Sequence, residues 1–344
     1  QELALTSLAD LEYACRENRL NQIKGFGPKL QAKILEGIGF VKSTQGLQRL
    51  PEAFDAAEQV VVVLLSHLPK GAMASESGAL RRRCETISQL EFVIGLENPA
   101  HSEVKKAVQL KAEAAAQRAG SKLPVLLDWV DLASFGYELA KKTATPAHWV
   151  ALGDPKVIEA TREEDFYSSV GVPWIPPEAR ETGEEVAMAR KGDLSGLVGW
   201  ESLKGFFHFH STDSDGRASL EEMVVTAKQA GFTYLGLSDH SKSSSYANGL
   251  TVERLGVQER AVRELQQKHP EIRLFWGIEC DILADGSLDY EDQVLERFDF
   301  VIASIHQRFE LDEVAMTERM LRAIRHPATS MIGHLTGRLL LGRK

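Results

Sequence analysis

The sequence predicts a multidomain α/β chain that ends in a parallel sheet covered by helices. Three observations support this. Its 344 residues exceed what a single core usually holds and point to about two domains. From Lys204 onward, strand-like and helix-like stretches alternate strictly, the pattern of successive β/α units. Ahead of them, VPWIPPEARETGEEVAMARKGDLSGL combines prolines with a polar acidic run and reads as a linker. The expected division is 1–42, 43–171, a linker over 172–203, and 204–344.

In chain order, SLADLEYACREN and PKLQAKILEGI carry apolar residues at three- and four-residue spacing and read as helices. AAEQVVVVLLSHL is ambiguous, because its valines favour a strand while the preceding PEAFDAAEQ favours a helix. QLEFVIGL (Gln89–Leu96) and LPVLLDWV (Leu123–Val130) read as strands, and SEVKKAVQLKAEAAAQRAG as a helix ended by Gly120. KGFFHFH is a strand, and SLEEMVVTAKQAG a helix with Ser219 and Glu222 at capping-box spacing. YLGLSDH is a strand and TVERLGVQERAVRELQQKH a helix. RLFWGIECDIL and FDFVIASIH are strands separated by the short helix YEDQVLERF. EVAMTERMLRAIRH is a helix and TSMIGHL a final strand. This alternation fits an open doubly wound sheet or a closed β/α barrel.

The composition, 43% hydrophobic and 26% charged, is that of an ordinary globular chain. Its longest apolar runs are too short to cross a bilayer, so no membrane partner is expected. QELALTSLADLE lacks the basic and apolar segments of a signal peptide and does not begin with Met, so a fragment of a longer chain is expected. Cys15, Cys84 and Cys280 form no CxxC pair, which argues against a disulfide framework or zinc ribbon and for a reducing cytoplasm. The net charge of −9 counts mildly against nucleic acid, although RRR at Arg81–Arg83 is a local exception.

Function in parallel β/α folds collects at the carboxyl ends of strands. Those ends carry His208 and His210 with Asp215 in the turn after them, then Asp239 and His240, Glu279, His306 and His334. His208 and His210 are two apart and on a regular strand share one side. Imidazoles and carboxylates together suit Zn, Mn or Fe, so a metal site is expected on this rim. Asp239 reads as structural or as orienting a neighbouring ligand. His67, His101, His148, His269 and His326 lack such placement and read as ordinary structural histidines.

HFHSTDSDG, LSDHS, GIECDIL, SIH and GHLTGR together resemble the PHP (polymerase and histidinol phosphatase) domain, in the version found in bacterial family X DNA polymerases. The resemblance implies a distorted seven-stranded β/α barrel with a three-metal cluster, manganese by expectation. It assigns His208, His210 and Glu279 to one metal, Glu279, His306 and His334 to a second, and Asp215 with His240 to a third. The family completes the first and third sites with an Asp and a His from a later motif. The sequence in hand stops at Lys344, so a further C-terminal segment is expected.

IKGFGPKLQAKI resembles the family's helix-hairpin-helix, a clamp on the DNA backbone; Gly25, Gly27 and Lys29 would meet a phosphate at a helix N-terminus. GALRRRCETISQLEFVI resembles the nucleotide-binding motif of the family's mixed α+β palm, in altered form. Gly78 is kept, Ala79 stands at the serine position, and Gln89 and Glu91 stand at the Asp-x-Asp pair that binds magnesium in the family. The third aspartate falls on Leu126, with Asp128 and Asp131 as the nearest acids that can replace it. Two-metal transfer needs carboxylates bridging ions about 4 Å apart, so impaired polymerase activity is expected.

The functional expectation is a DNA-repair protein whose PHP domain is a metal-dependent 3′–5′ exonuclease acting on primer or gapped DNA ends. The alternatives are an active gap-filling polymerase, a non-catalytic DNA-binding scaffold with a structural metal, and a phosphatase of small phosphomonoesters.

Overall fold

The computed structural model describes residues 5–98 and 101–342. The chain divides into two compact units, Gln1–Gly196 with Leu339–Lys344, and Leu197–Arg338.

The first unit opens with α1 (Leu8–Arg16), started by a capping box between Ser7 and Asp10. Gly25, at φ 96°, and the N-cap Gly27 turn the chain into α2 (Pro28–Thr44), with Pro28 in the first turn. These helices bury Ala14, Cys15 and Leu20 against Leu11, Phe26, Ile34 and Leu35. A two-residue ladder pairs β1 (Gln48–Arg49) with β3 (Thr86–Ile87). The valine-rich stretch lies in α3 (Leu50–His67). Ala53, Ala56, Ala57, Val60 and Leu64 are its buried residues, a helical period that outweighs the β preference of the valines.

β2 (Met73–Glu76), β4 (Leu90–Leu96) and β5 (Val125–Asp131) form a sheet in the order β2-β4-β5, with β4 antiparallel to β2 and parallel to β5. α4 (Gly78–Arg81) follows β2, and α5 (Ser102–Arg118) connects β4 to β5. Next come α6 (Phe135–Thr143), α7 (Pro146–Ala151), α8 (Glu163–Ser169) and α9 (Glu184–Lys191). The stretch that reads as a linker is folded at least as far as α9. Val172, Ile175, Val186 and Ala189 are buried with Tyr137, Phe166 and Tyr167. Arg180 is fully buried between the Glu163 carboxylate and the Ile175 carbonyl. Composition signals a linker here because it does not show that these polar residues are paired.

The second unit runs β6 (Gly205–Phe209), α10 (Leu220–Gln229), β7 (Tyr234–Leu237), α11 (Val252–Lys268), β8 (Arg273–Asp281), α12 (Asp292–Leu295), β9 (Phe300–Ser304), α13 (Glu313–Ile324) and β10 (Met331–Ile332). Its five strands are all parallel and lie in sequence order. A doubly wound sheet reverses its strand order, so that alternative is excluded. The sheet is strongly curled. The rings of His208 on β6 and His334 beyond β10 are 5.8 Å apart, whereas a flat sheet would hold strands four steps apart at about 19 Å. Among the described residues no ladder joins β10 to β6.

Alternation along the strands sorts two faces. Leu235, Leu237, Leu274, Trp276, Ile278, Cys280, Val301 and Ala303 pack against Val224 and Ala227 of α10 and Leu255, Val262 and Leu265 of α11. On the other face Phe207 meets Tyr234, Phe275 and Phe300. Gly236 makes room there, since a Cβ on it would lie 2.0 Å from the Phe207 ring.

Candidate metal centre

Glu279 and Asp281 alternate with the outer-core residues Ile278 and Cys280, so both side chains leave β8 on the inner face near its carboxyl end. The histidines of β6 arrive by a different route from simple alternation. The register against β7 slips between Phe207 and Phe209, and His208 takes φ 66°. This bulge sends Phe209 to the outer core beside Phe206, which an unbroken strand would not do. His208 and His210 nevertheless reach the same carboxylate. A non-glycine residue held in the left-handed region is local strain of the kind found at functional sites.

Five imidazoles surround Glu279, which is 1% exposed. Oε1 lies 2.8 Å from His334 Nε2, 3.0 Å from His208 Nε2 and 3.3 Å from His306 Nε2. Oε2 lies 3.2 Å from His240 Nδ1 and 3.5 Å from His210 Nε2. Asp215 is 3.7 Å from His210 on one oxygen and 3.7 Å from His240 on the other. All seven residues singled out in the sequence are thus brought together. Burial penalises the Glu279 charge, but hydrogen bonds from His208, His306 and His334 hold its pKa well below the usual carboxylate range. Burial lowers the pKa of His240 despite the Glu279 charge.

The donor set fits a polynuclear metal centre. His208–His210–Glu279, His210–Asp215–His240 and His240–Glu279–His306 each place three ligand atoms within 4.8 Å of one another. His210 Nδ1 and His240 Nδ1 are buried and make no well-directed hydrogen bond, even with Glu279 Oε2 at 3.2 Å from His240 Nδ1, which is costly unless another ligand satisfies them. Nitrogen and carboxylate donors in this mixture suit Mn, Zn or Fe.

Sequence reading missed Asp281, although it lies two residues beyond Glu279 on the same strand face. It is 1% exposed, and its Oδ1 is 2.5 Å from His306 Nδ1. This contact keeps a proton on Nδ1 and turns Nε2 toward Glu279. Burial opposes the charged His306 ring, but Asp281 and Glu279 push its pKa up to about 9. Asp239 has a less direct part. It is fully buried and accepts from Ser211 N and Oγ, Ser214 Oγ and Gln258 Nε2, which fixes the turn between His210 and Asp215. Arg319, also missed, is 3% exposed and donates to the carbonyls of Leu283, Gln307 and Arg308, clamping the loop after His306.

The other histidines have local partners. His148 is buried between Glu185 and Tyr167, and His67 meets the Val63 carbonyl. His269 contacts Lys228, His326 contacts Asp292, and His101 takes the N-cap position of α5, where its backbone carbonyl accepts from Lys105 N and its side chain makes no capping bond.

In the first unit, Glu91 pairs with Leu126 and Val93 with Asp128 across β4 and β5, so Glu91, Leu126 and Asp128 share one face. Asp131 falls on the other face with Trp129, beside a separate cavity. A cavity of about 700 Å³ is lined by Glu91, Leu126, Asp128 and Lys142 among others. Burial raises the Glu91 pKa, a hydrogen bond with Gln89 opposes this, and the Asp128 charge adds to it. Lys142 pairs with Asp128 at 3.1 Å. Gly78, at φ 61°, lets Glu91 approach, since a Cβ there would lie 1.9 Å from its carboxylate. Ala79 follows in α4, and Gln89 immediately precedes β4. Gly25, Gly27 and Lys29 are exposed around the start of α2. Among the described residues no helix is long and apolar enough to cross a membrane.

Residues 207–339 match the PHP domain family. Over 376 aligned residues the chain is 30% identical to the DNA polymerase/3′-5′ exonuclease PolX of Bacillus subtilis (strain 168), with all of this chain and 65% of that protein covered. Over 138 residues it is 33% identical to a probable phosphatase of Caldicellulosiruptor saccharolyticus, and 32% identical to one of Caldicellulosiruptor bescii. Those two alignments cover 37% of this chain and 52% of each phosphatase. The chain is thus similar to PolX along its whole length, spanning 65% of that protein, and residues 207–339 match the PHP domain.

Proposed function

We propose that the second unit is a divalent-metal-dependent phosphodiesterase that removes nucleotides from DNA 3′ ends. The observation that carries this is the meeting of five imidazoles on the single buried carboxylate of Glu279. The reading assigns His208, His210 and Glu279 to one metal, Glu279, His306 and His334 to a second, and Asp215 with His240 to a third. Divalent ions, with manganese expected, supply Lewis acidity for a phosphate and acidify an attacking water. The chain's own part is to preorganise the donors: Asp281 orients His306, Asp239 fixes the turn before Asp215, and the β6 bulge aims His208 and His210 together. DNA as substrate rests on the likeness to PolX along the whole chain. It is supported further by Gly25, Gly27 and Lys29, read as a helix-hairpin-helix contact to phosphate.

The test is digestion of a 5′-labelled primer with manganese. The protein shortens the strand from its 3′ end, while His306→Ala loses this activity and still binds DNA. Undiminished digestion by His306→Ala would place the activity elsewhere. Likeness to two probable phosphatases favours a second reading, a phosphomonoesterase of small substrates. That reading gains if the protein releases phosphate from monoesters and leaves the primer intact.

In the first unit we read a worn polymerase palm with at most weak magnesium binding. Gln89 and Leu126 replace two anions, which weakens divalent binding. Glu91 and Asp128 remain on one face, with Lys142 held by Asp128. Primer extension is expected to be weak or absent, and partly restored by Gln89→Asp with Leu126→Asp. Robust extension by the unmutated protein, lost in Asp128→Ala, would show that Asp128 has taken over the missing role.

A further inference from the structure

We infer that Tyr246 is the residue against which the centre receives a nucleobase, so that it selects base-bearing strand ends. This rests on the DNA-acting reading above and deepens it. Tyr246 lies in the loop between β7 and α11 and is 70% exposed, with its ring centroid 6.3 Å from that of His240. A single exposed aromatic needs no explanation by itself. Here it stands on a rigid mount. Ser243 and Ser244 each donate a hydroxyl hydrogen bond to the buried Asp281 at 2.9 Å, and Ser243 N donates to Asp289 at 2.7 Å. Leu250 N donates to the His240 carbonyl at 2.8 Å, closing the loop's far end. Ala247 and Leu250 are buried at 2% and 1%, so the residues around Tyr246 are anchored while its ring is not covered. Asn248 takes φ 56°, and Gly249 has no space for a side chain, since a Cβ would lie 1.9 Å from the Ser241 carbonyl oxygen.

The loop therefore anchors the backbone that carries Tyr246 beside the centre and leaves the ring's surface to solvent. The same Asp281 that orients His306 holds this loop, so the backbone that carries the ring is tied to the centre. A rigid aromatic loses little entropy when it is covered, and every base offers a face to stack on. Its position suits the base attached to the sugar whose phosphate enters the centre.

Two strands test this, alike except that one ends in a normal 3′ nucleotide and the other in a tetrahydrofuran abasic residue. The protein should digest the base-bearing strand about ten-fold faster or more, the size of one stacking contact. Tyr246→Ala should slow that strand to the abasic rate without changing the abasic rate, and Tyr246→Phe should keep the preference. In EDTA, a 3′-terminal 2-aminopurine should be quenched by the protein and by Tyr246→Phe, but not by Tyr246→Ala. Equal slowing of both strands in Tyr246→Ala, or quenching that survives it, would overturn the inference. Failure of the nuclease reading would look different: the unmutated protein would digest neither strand, and quenching in EDTA would still decide the role of Tyr246.

Discussion

Glu279→Ala is expected to abolish metal-dependent digestion, with a fall on the order of 10³-fold or more, as when a group on which a whole catalytic set depends is removed. Each oxygen of this carboxylate faces a different subset of the histidines, His208, His306 and His334 on one and His210 and His240 on the other. The two buried acids nearby are not free to replace it, because Asp281 is engaged by His306, Ser243 and Ser244, and Asp239 by Ser211, Ser214 and Gln258. Glu279→Gln keeps the shape and removes the charge, so it should be nearly as inactive. DNA binding measured in EDTA should change little in either variant, because the proposed phosphate contacts of Gly25, Gly27 and Lys29 belong to the other unit. A manganese titration followed by digestion rate checks this. Recovery of full activity by either variant at high manganese would mean that the carboxylate tunes affinity only.

Glu163→Ala should be the most destabilising single change in the first unit. Its carboxylate, 4% exposed, accepts from Arg180 at 2.6 Å and from Arg81 at 2.7 Å, and also from the Trp174 indole at 2.8 Å. Arg180 is fully buried, so removing the acid strands a guanidinium away from water. Breaking such a pair from one side costs about 3–5 kcal/mol. Replacing the pair by apolar residues that fit would cost less. The same group sets an acid limit. Burial raises the Glu163 pKa, but Arg180 and Arg81 outweigh this and lower it from 4.5 to about 2. The folded pKa is depressed, so the associated stability is fully present above pH 4.5 and is lost as pH falls from there through about 2. Urea unfolding followed by tryptophan fluorescence at pH 7 and pH 3 checks both points. Glu163→Ala should have a lowered midpoint at pH 7 and a smaller pH dependence than the unmutated protein.

The β/α alternation of the second unit and the residues that converge at its strand ends are legible because each depends on a local pattern. A carboxyl-end residue on each strand can be read from strand boundaries alone, and His208, His210, His240, Glu279, His306 and His334 all follow that rule. The bulge was not legible. HFH reads as alternation, and only pairing with β7 shows that Phe209 changes face. The role of Asp281 is not legible, because carboxylate–imidazole pairing joins β8 to the His306 loop after β9, a relation that spacing does not encode. The folded character of 172–191 was hidden for the same reason, since Arg180 finds Glu163 only in three dimensions. In α3 the period of buried alanines, rather than the run of valines, held the answer. In the first unit, strand positions are readable, and register then places Glu91, Leu126 and Asp128 on one face.

The most direct measurement of the central claim is anomalous X-ray diffraction at the manganese edge, from crystals grown with manganese. A metal cluster shared by Glu279 predicts anomalous peaks within coordination distance of both its carboxylate oxygens, with His208 and His210 on one peak and His306 and His334 on another. Bound manganese that avoids Glu279, or crystals saturated with manganese that show no peak among these histidines, would contradict it.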